Sequence, residues 1–133
     1  MSKRILIVDD NDDFRKVVRQ YLEMQNLGLV IQEAKSGELG IARALHTPPN
    51  VVLMDLRLPG INGIDAATQI KDNAPACDVI LTMFETEEFK KGCGRGNIAA
   101  FIGKSDIYDR LMPALKRCLS STKRGPGKVG AGT

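Results

Sequence analysis

Four apolar runs of this chain each end on a residue able to handle a phosphoryl group or an accompanying cation. Ile5-Leu6-Ile7-Val8 leads into Asp9 and Asp10, Val51-Val52-Leu53-Met54 into Asp55, Val79-Ile80-Leu81 into Thr82, and Ala99-Ala100-Phe101-Ile102-Gly103 into Lys104. Adjacent carboxylates at a strand end are hard oxygen ligands of the kind Mg2+ uses, because it keeps several waters and takes one or two protein carboxylates. They could instead be helix-capping acids. Asp55 at a neighbouring strand end favours the cation, since like charges converging in a cleft are costly without one. Asp55 can also act as a nucleophile, because carboxylates form acyl phosphates in covalent catalysis. A cation and Lys104 would neutralise the transferring group, and the Thr82 hydroxyl would add a hydrogen bond. Singly, Thr82 reads as an ordinary strand-end threonine and Lys104 as a solvated lysine; in order at successive strand ends they read as a set.

Such a set converges only if the runs are neighbouring strands of one parallel sheet, where ligands collect outside the carboxyl ends. Short β-branched or leucine-rich runs at 4–9, 29–34, 50–55, 77–82 and 98–102 have the length of buried strands. They alternate with helical periods near 11–26, 37–46, 64–73, 86–92 and 106–120. Phe14, Val17, Val18, Tyr21 and Leu22 share one helical face, as do Ile107, Leu111, Ala114, Leu115 and Leu119. Asn11 or Asp12 can cap the first helix, Ser36 with Gly37 the second, and Ser105 with Asp106 the fifth. This fivefold alternation predicts an α/β fold with helices on both faces of a parallel sheet. Pro59 and Gly60 predict a fixed loop just after Asp55. Gly92, Gly94 and Gly96 shorten the fourth helical segment, at about 1 kcal/mol each relative to alanine. That glycine cluster lacks the Lys-Ser/Thr of a phosphate loop and precedes a strand instead of a helix.

Composition narrows the class. At 133 residues the chain fits one domain with a single core, and 43% hydrophobic with 26% charged residues is ordinary for a soluble protein. No apolar run approaches the roughly 20 residues of a membrane helix, and the start lacks a secretory hydrophobic segment, so a cytoplasmic location is expected. Cys77, Cys93 and Cys118 have neither disulfide nor zinc-site spacing. The net charge of +3 resides in Lys123, Arg124 and Lys128, so residues 1–119 are neutral. Residues 120–133 are expected to form a flexible, basic, Gly-rich tail. A neutral body filled by one α/β unit leaves no room for a recognition module, so no DNA binding by this chain alone is expected. Asp12 and Asp13 suit a helix's first turn. An EF-hand is excluded, because Phe14 stands where its loop needs glycine and Gln20 where it needs glutamate. His46 falls at a helix end on the side opposite the cleft and is not expected to donate phosphate.

These motifs, in this order, resemble the receiver domain of two-component response regulators, the CheY-like superfamily, over roughly residues 3–119. The resemblance rests on Ile5-Leu6-Ile7-Val8-Asp9-Asp10, Met54-Asp55-Leu56-Arg57-Leu58-Pro59-Gly60-Ile61-Asn62-Gly63, Leu81-Thr82-Met83 and Phe101-Ile102-Gly103-Lys104. It implies a three-layer, doubly wound (βα)5 sandwich of flavodoxin-like topology, strand order 2-1-3-4-5, with a receiver at 1–119. Asp55 would accept phosphate from a histidine kinase or phosphotransfer protein. Asp10, Asp55 and the Arg57 backbone carbonyl would ligate Mg2+, replaceable by Mn2+, with Asp9 acting through metal-bound water. Thr82 and Lys104 would bind phosphoryl oxygens and draw Phe101 inward, altering the face of the fourth helix, fifth strand and fifth helix where receivers pair or meet downstream partners. A local anion would thereby bias a two-state packing arrangement. Such a protein is a switch, not a turnover enzyme, catalysing only its own phosphotransfer and dephosphorylation.

Leu81-Thr82-Met83 with Phe101-Ile102-Gly103-Lys104-Ser105-Asp106 looks closest to receivers of LuxR-type helix-turn-helix regulators. Only the tail follows, implying a stand-alone receiver or a fragment of a longer regulator. Ser105 replaces a proline common in the family; a cis bond there would be about 3 kcal/mol harder to sustain. Positions two after Asp55 and two after Thr82, Arg57 and Phe84, influence phosphate loss in the family. Bulky Phe84 is expected to hinder water, and activation to order the glycine-broken region 86–98. Two alternatives are a degenerate receiver acting as a constitutive binding module, and a haloacid-dehalogenase-like phosphohydrolase. The intact acids, Thr82 and Lys104 disfavour the first; Arg57 in place of the second acid of an Asp-x-Asp pair disfavours the other.

Overall fold

The computed structural model describes residues 3–84 and 98–121. Five strands, β1 (Arg4–Val8), β2 (Val30–Ala34), β3 (Val51–Asp55), β4 (Asp78–Met83) and β5 (Ile98–Gly103), form one parallel sheet in the order β2-β1-β3-β4-β5. Helices α1 (Asp12–Met24), α2 (Gly37–His46) and α3 (Gly63–Asn73) follow the first three strands, and α4 (Ile107–Ser121) follows β5. The expected fourth helical segment at 86–92, its glycine cluster and the proposed ordering of 86–98 largely lie outside the described residues. So does the tail beyond residue 121; its expected first two residues, 120 and 121, instead continue α4, because the helical hydrogen bonding of that helix runs through them.

Alternation along the strands divides the core between two faces. Leu6, Val8, Val52, Met54, Val79 and Leu81 pack with Ala44 of α2 and Ala66, Ala67 and Ile70 of α3. Ile5, Ile7, Val51, Leu53 and Ile80 pack on the other face with Val18 and Leu22 of α1 and Leu111 and Leu115 of α4. Because both faces are covered, the central strand β3 is buried at every position and reads as a continuous apolar run. The register places Val8 beside Met54 and Asp55 beside Thr82, which aligns the chemical strand ends.

Caps set where the helices begin. Asn11 Oδ1 accepts from Phe14 N and Ser36 Oγ from Leu39 N, as the sequence predicts. The expected Ser105–Asp106 cap does not form: these residues lie in a 3-10 turn, Lys104–Asp106, that enters α4 without a side-chain cap bond. Its backbone already serves the entry, since Ile107 N donates to the Lys104 carbonyl. Among the described residues there is no cis peptide bond. Helix α1 stops two residues short of the expected boundary, ahead of Asn26 and Gly28, both of which adopt positive φ. His46 is exposed at the end of α2, its Nδ1 3.0 Å from Thr47 Oγ1. Cys77 and Cys118 are buried, and burial pushes the Cys77 thiol up to about 12, which keeps it in the unreactive form. No helix among the described residues is long and apolar enough to cross a membrane.

Candidate phosphoacceptor site

The carboxyl ends of β1, β3, β4 and β5 bring Asp9, Asp55, Thr82 and Lys104 together, and all four are buried. The Lys104 ammonium lies 2.8 Å from Asp9 Oδ2 and donates to Asp55 Oδ2 at 3.2 Å. Asp10 is exposed at the rim, yet one oxygen each of Asp9, Asp10 and Asp55 can lie within 4.8 Å of one another. Thr82 Oγ1 makes only a long contact, 3.5 Å, to the Met54 carbonyl.

Two aromatic rings flank the lysine. Phe14 of α1 and Phe84 just beyond β4 each place a ring centroid 4.5 Å from Lys104 Nζ. Ring faces attract a cation, so the pair helps hold the ammonium in an interior position that is costly for a charge. Phe84 remains 74% exposed.

Backbone geometry fixes Asp55. Its Oδ1 accepts from Arg57 N at 3.1 Å, and Leu56 N donates to the Thr82 carbonyl at 2.8 Å, tying the loop to β4. Gly63 opens α3 against the Asp55 carbonyl so closely that a side chain would collide with backbone. Gly60 takes φ +79°, which favours glycine, and Glu38 of α2 accepts from Ile61 N, so α2 braces the same loop. Asn62 Oδ1 caps α3 by accepting from Asp65 N. Burial pushes the Asp55 carboxyl above the ordinary carboxylate range and the Asp9 charge adds to this; Lys104 and the Arg57 N–H offset part of it.

The donor set fits a hard divalent cation. Asp9 Oδ2 is buried, with the Lys104 ammonium 2.8 Å away as charge compensation and no hydrogen-bond partner among the described residues. Such an oxygen, beside two further carboxylates, is ready for a ligand that accepts lone pairs. Asp9, Asp10, Asp55, Thr82 and Lys104, singled out in the sequence for metal and phosphoryl binding, therefore meet at one end of the sheet. Phe101 sits nearby on β5, beside Leu81 in register and half-buried against the α2/α3-side core.

Sequence reasoning missed a second layer. Arg15 of α1 donates to the Asp9 carbonyl at 2.6 Å, pairs with Asp12, and through Nε reaches Glu33 of β2 at 2.9 Å. Glu33 also takes Arg19 at 2.9 Å. Burial works against the Glu33 charge, but bonds from both arginines outweigh it and hold the carboxyl below its ordinary range. An arginine in the first turns of a helix, where the dipole disfavours positive charge, was the available signal.

The family model for the response regulator receiver domain matches residues 5–116. The transcriptional regulatory protein ResD of Bacillus subtilis is 37% identical over 105 residues, covering 79% of this chain and 40% of ResD. The chain spans 40% to 58% of the length of the curated relatives it matches. Among solved structures, a LuxR-family two-component response regulator from Aurantimonas sp. superposes with TM-score 0.81 at 25% identity, covering 90% of this chain and 86% of that one. The response regulator protein TrrA of Thermotoga maritima, in complex with Mg(2+)-BeF, gives TM-score 0.77 at 26% identity over 87% and 98%. A parallel sheet in the order β2-β1-β3-β4-β5, with its acids, hydroxyl and lysine at one edge, belongs with these matches: the chain is a member of the response regulator receiver domain family.

Proposed function

We propose that this chain is a phosphorylation-dependent signalling switch, with a receiver at residues 1–119 followed by a basic, Gly-rich tail, and Asp55 as its phosphoacceptor. The observation that carries the reading is the single buried site joining Asp55 to Lys104, Asp9 and Thr82. An Asp55 oxygen attacks the phosphorus of a phosphohistidine on a histidine kinase or phosphotransfer protein. An O–P bond forms, the P–N bond breaks, and the imidazole leaves with the electron pair and takes up a proton. Attack needs the ionised carboxylate, and Lys104 favours that form against burial and Asp9.

Asp10, Asp55 and the Arg57 carbonyl would hold Mg2+ or Mn2+, with Asp9 acting through bound water. The ion would supply charge neutralisation on the transferring group. Thr82 and Lys104 then bind phosphoryl oxygens. Lys104 leaves its place between the carboxylates, and the Thr82 hydroxyl gives up its long contact to Met54. Motion of Thr82 frees volume beside β5 into which Phe101 turns. That movement changes the β5 and C-terminal helix surface, the proposed site of self-association or of an unidentified downstream protein. Catalysis is confined to self-phosphorylation and loss of the phosphoryl group, in a cytoplasmic setting and without direct DNA contact.

The test incubates wild type and Asp55→Ala with Mg2+ and acetyl phosphate, followed by prompt intact-mass measurement in acid. One added phosphoryl mass on wild type alone is expected. Equal addition to both proteins, or none while Mg2+ binding is demonstrated and a kinase-type phosphodonor also fails, would remove the assignment.

A further inference from the structure

The acidic pair is carried by a short connection between β1 and α1, and Asp10 projects from its exposed rim. Asn11 N donates to Asp9 Oδ1 at 2.9 Å within that connection, and a guanidinium reaches its backbone from α1. We propose that Arg15 is a positioning residue that aims Asp9 and Asp10 at the cation, and that Glu33 on the edge strand β2 sets Arg15. This rests on the reading of the cleft as a cation-assisted phosphoacceptor site.

Asp9 is held from both sides of its backbone. Its N–H donates to the Ala34 carbonyl of β2 at 3.1 Å, and its carbonyl accepts from Arg15 Nη1 at 2.6 Å. The Asp9 carbonyl lies in the same peptide plane as the Asp10 nitrogen, so the arginine bond fixes the plane from which Asp10 departs. The guanidinium is itself clamped: Nε to Glu33 Oε1 at 2.9 Å, Nη2 to Asp12 Oδ1, with the side chain only 13% exposed. A planar fork serves these three partners at once, which a lysine's point charge cannot do. Arg19 steadies the other Glu33 oxygen at 2.9 Å.

Positioning and plain electrostatics have opposite signs here. A cation near an acidic site repels a metal, so removing Arg15 for charge alone would tighten metal binding. Removing a group that orients ligands weakens it, by about 10- to 100-fold for outer-layer partners in metal sites.

Mn2+ binding to the full chain, followed by the electron paramagnetic resonance of free Mn2+ at constant ionic strength, separates the two. Arg15→Met is expected to bind Mn2+ about tenfold more weakly than wild type or worse. Arg15→Lys, which keeps the charge and loses the fork, is expected to weaken binding as well. Equal or tighter binding by Arg15→Met overturns the inference. If circular dichroism shows that Arg15→Met does not fold, Arg15→Lys decides, and wild-type affinity in that variant overturns it. A wild type that binds no Mn2+ overturns the cation-site reading and this inference together; wild-type binding with unaffected variants overturns the inference alone.

Discussion

Replacing Lys104 by methionine keeps a long unbranched stem and removes one positive charge from between two buried carboxylates. The ammonium lies 2.8 Å from Asp9 and 3.2 Å from Asp55, with side-chain exposures of 5%, 1% and 7% for the lysine and the two acids. At an effective dielectric near 20 these contacts are worth about 6 and about 5 kcal/mol gross. Most of that is offset, because the variant no longer has to desolvate an ammonium. Experience with breaking one side of a buried pair gives a net loss of about 3 to 5 kcal/mol. For a chain of this size that corresponds to a fall in Tm of roughly 10 to 20 °C.

The loss should depend on pH. The Asp55 carboxyl is already raised, first by burial and then by Asp9, and Lys104 is a principal influence holding it down. Without the lysine it rises further. A carboxyl whose folded-state pKa lies above its unfolded value stabilises below the unfolded value and loses that contribution as pH rises through the folded value. Lys104→Met is therefore weakest relative to wild type at neutral pH and recovers as pH falls toward the ordinary carboxylate range. Urea unfolding at pH 7 and pH 5 measures both effects. Adding Asp9→Asn should restore stability to the lysine variant, because the uncompensated charge is gone. A loss below about 1 kcal/mol at pH 7, the scale of exposed pairs, would refute the reasoning, as would a double variant no more stable than Lys104→Met.

Two further substitutions test the loop and the rim. Gly63→Ala would drive a methyl into the Asp55 carbonyl oxygen and to 2.8 Å from Leu56 Cα, both backbone atoms that cannot yield cheaply. A loss of about 2 to 3 kcal/mol is expected in denaturant unfolding, with slower phosphorylation by acetyl phosphate; an unchanged midpoint would sink the account. Phe84→Ala removes an exposed ring 4.5 Å from the Lys104 ammonium. Losing its cation–π contact is expected to cost about 0.5 to 1 kcal/mol in denaturant unfolding, and opening the approach of water to the acyl phosphate is expected to speed loss of the phosphoryl group, followed by mass spectrometry. Decay no faster than wild type would exclude a shielding role.

Local pattern made much of the molecule legible in the chain. Apolar runs of strand length and helical faces such as Val18 with Leu22 and Leu111 with Leu115 report themselves within a few residues, because strand and helix periods are short. Asp9, Asp10, Asp55, Thr82 and Lys104 were identifiable because each sits at or beside the carboxyl end of such a run, and a parallel sheet gathers those ends. Side-chain chemistry and order along the chain therefore determined the fold class and which residues converge at the candidate site.

Only tertiary structure decided what each member experiences. Asp9 and Asp10 are neighbours of the same type, yet one is buried and the other exposed, because β1 lies between β2 and β3 and Asp9 follows its last paired residue. The Lys104–Asp55 bond spans 49 positions, and the Phe14 and Phe84 rings reach the same ammonium from separate elements. Arg15 reads as a surface helix residue until β2 places Glu33 beside it. Burial, charge pairing and the loss of the Ser105–Asp106 cap to a 3-10 turn depend on which surfaces meet across the sheet. That is set by summed packing over distant residues, so no window of the sequence carries it.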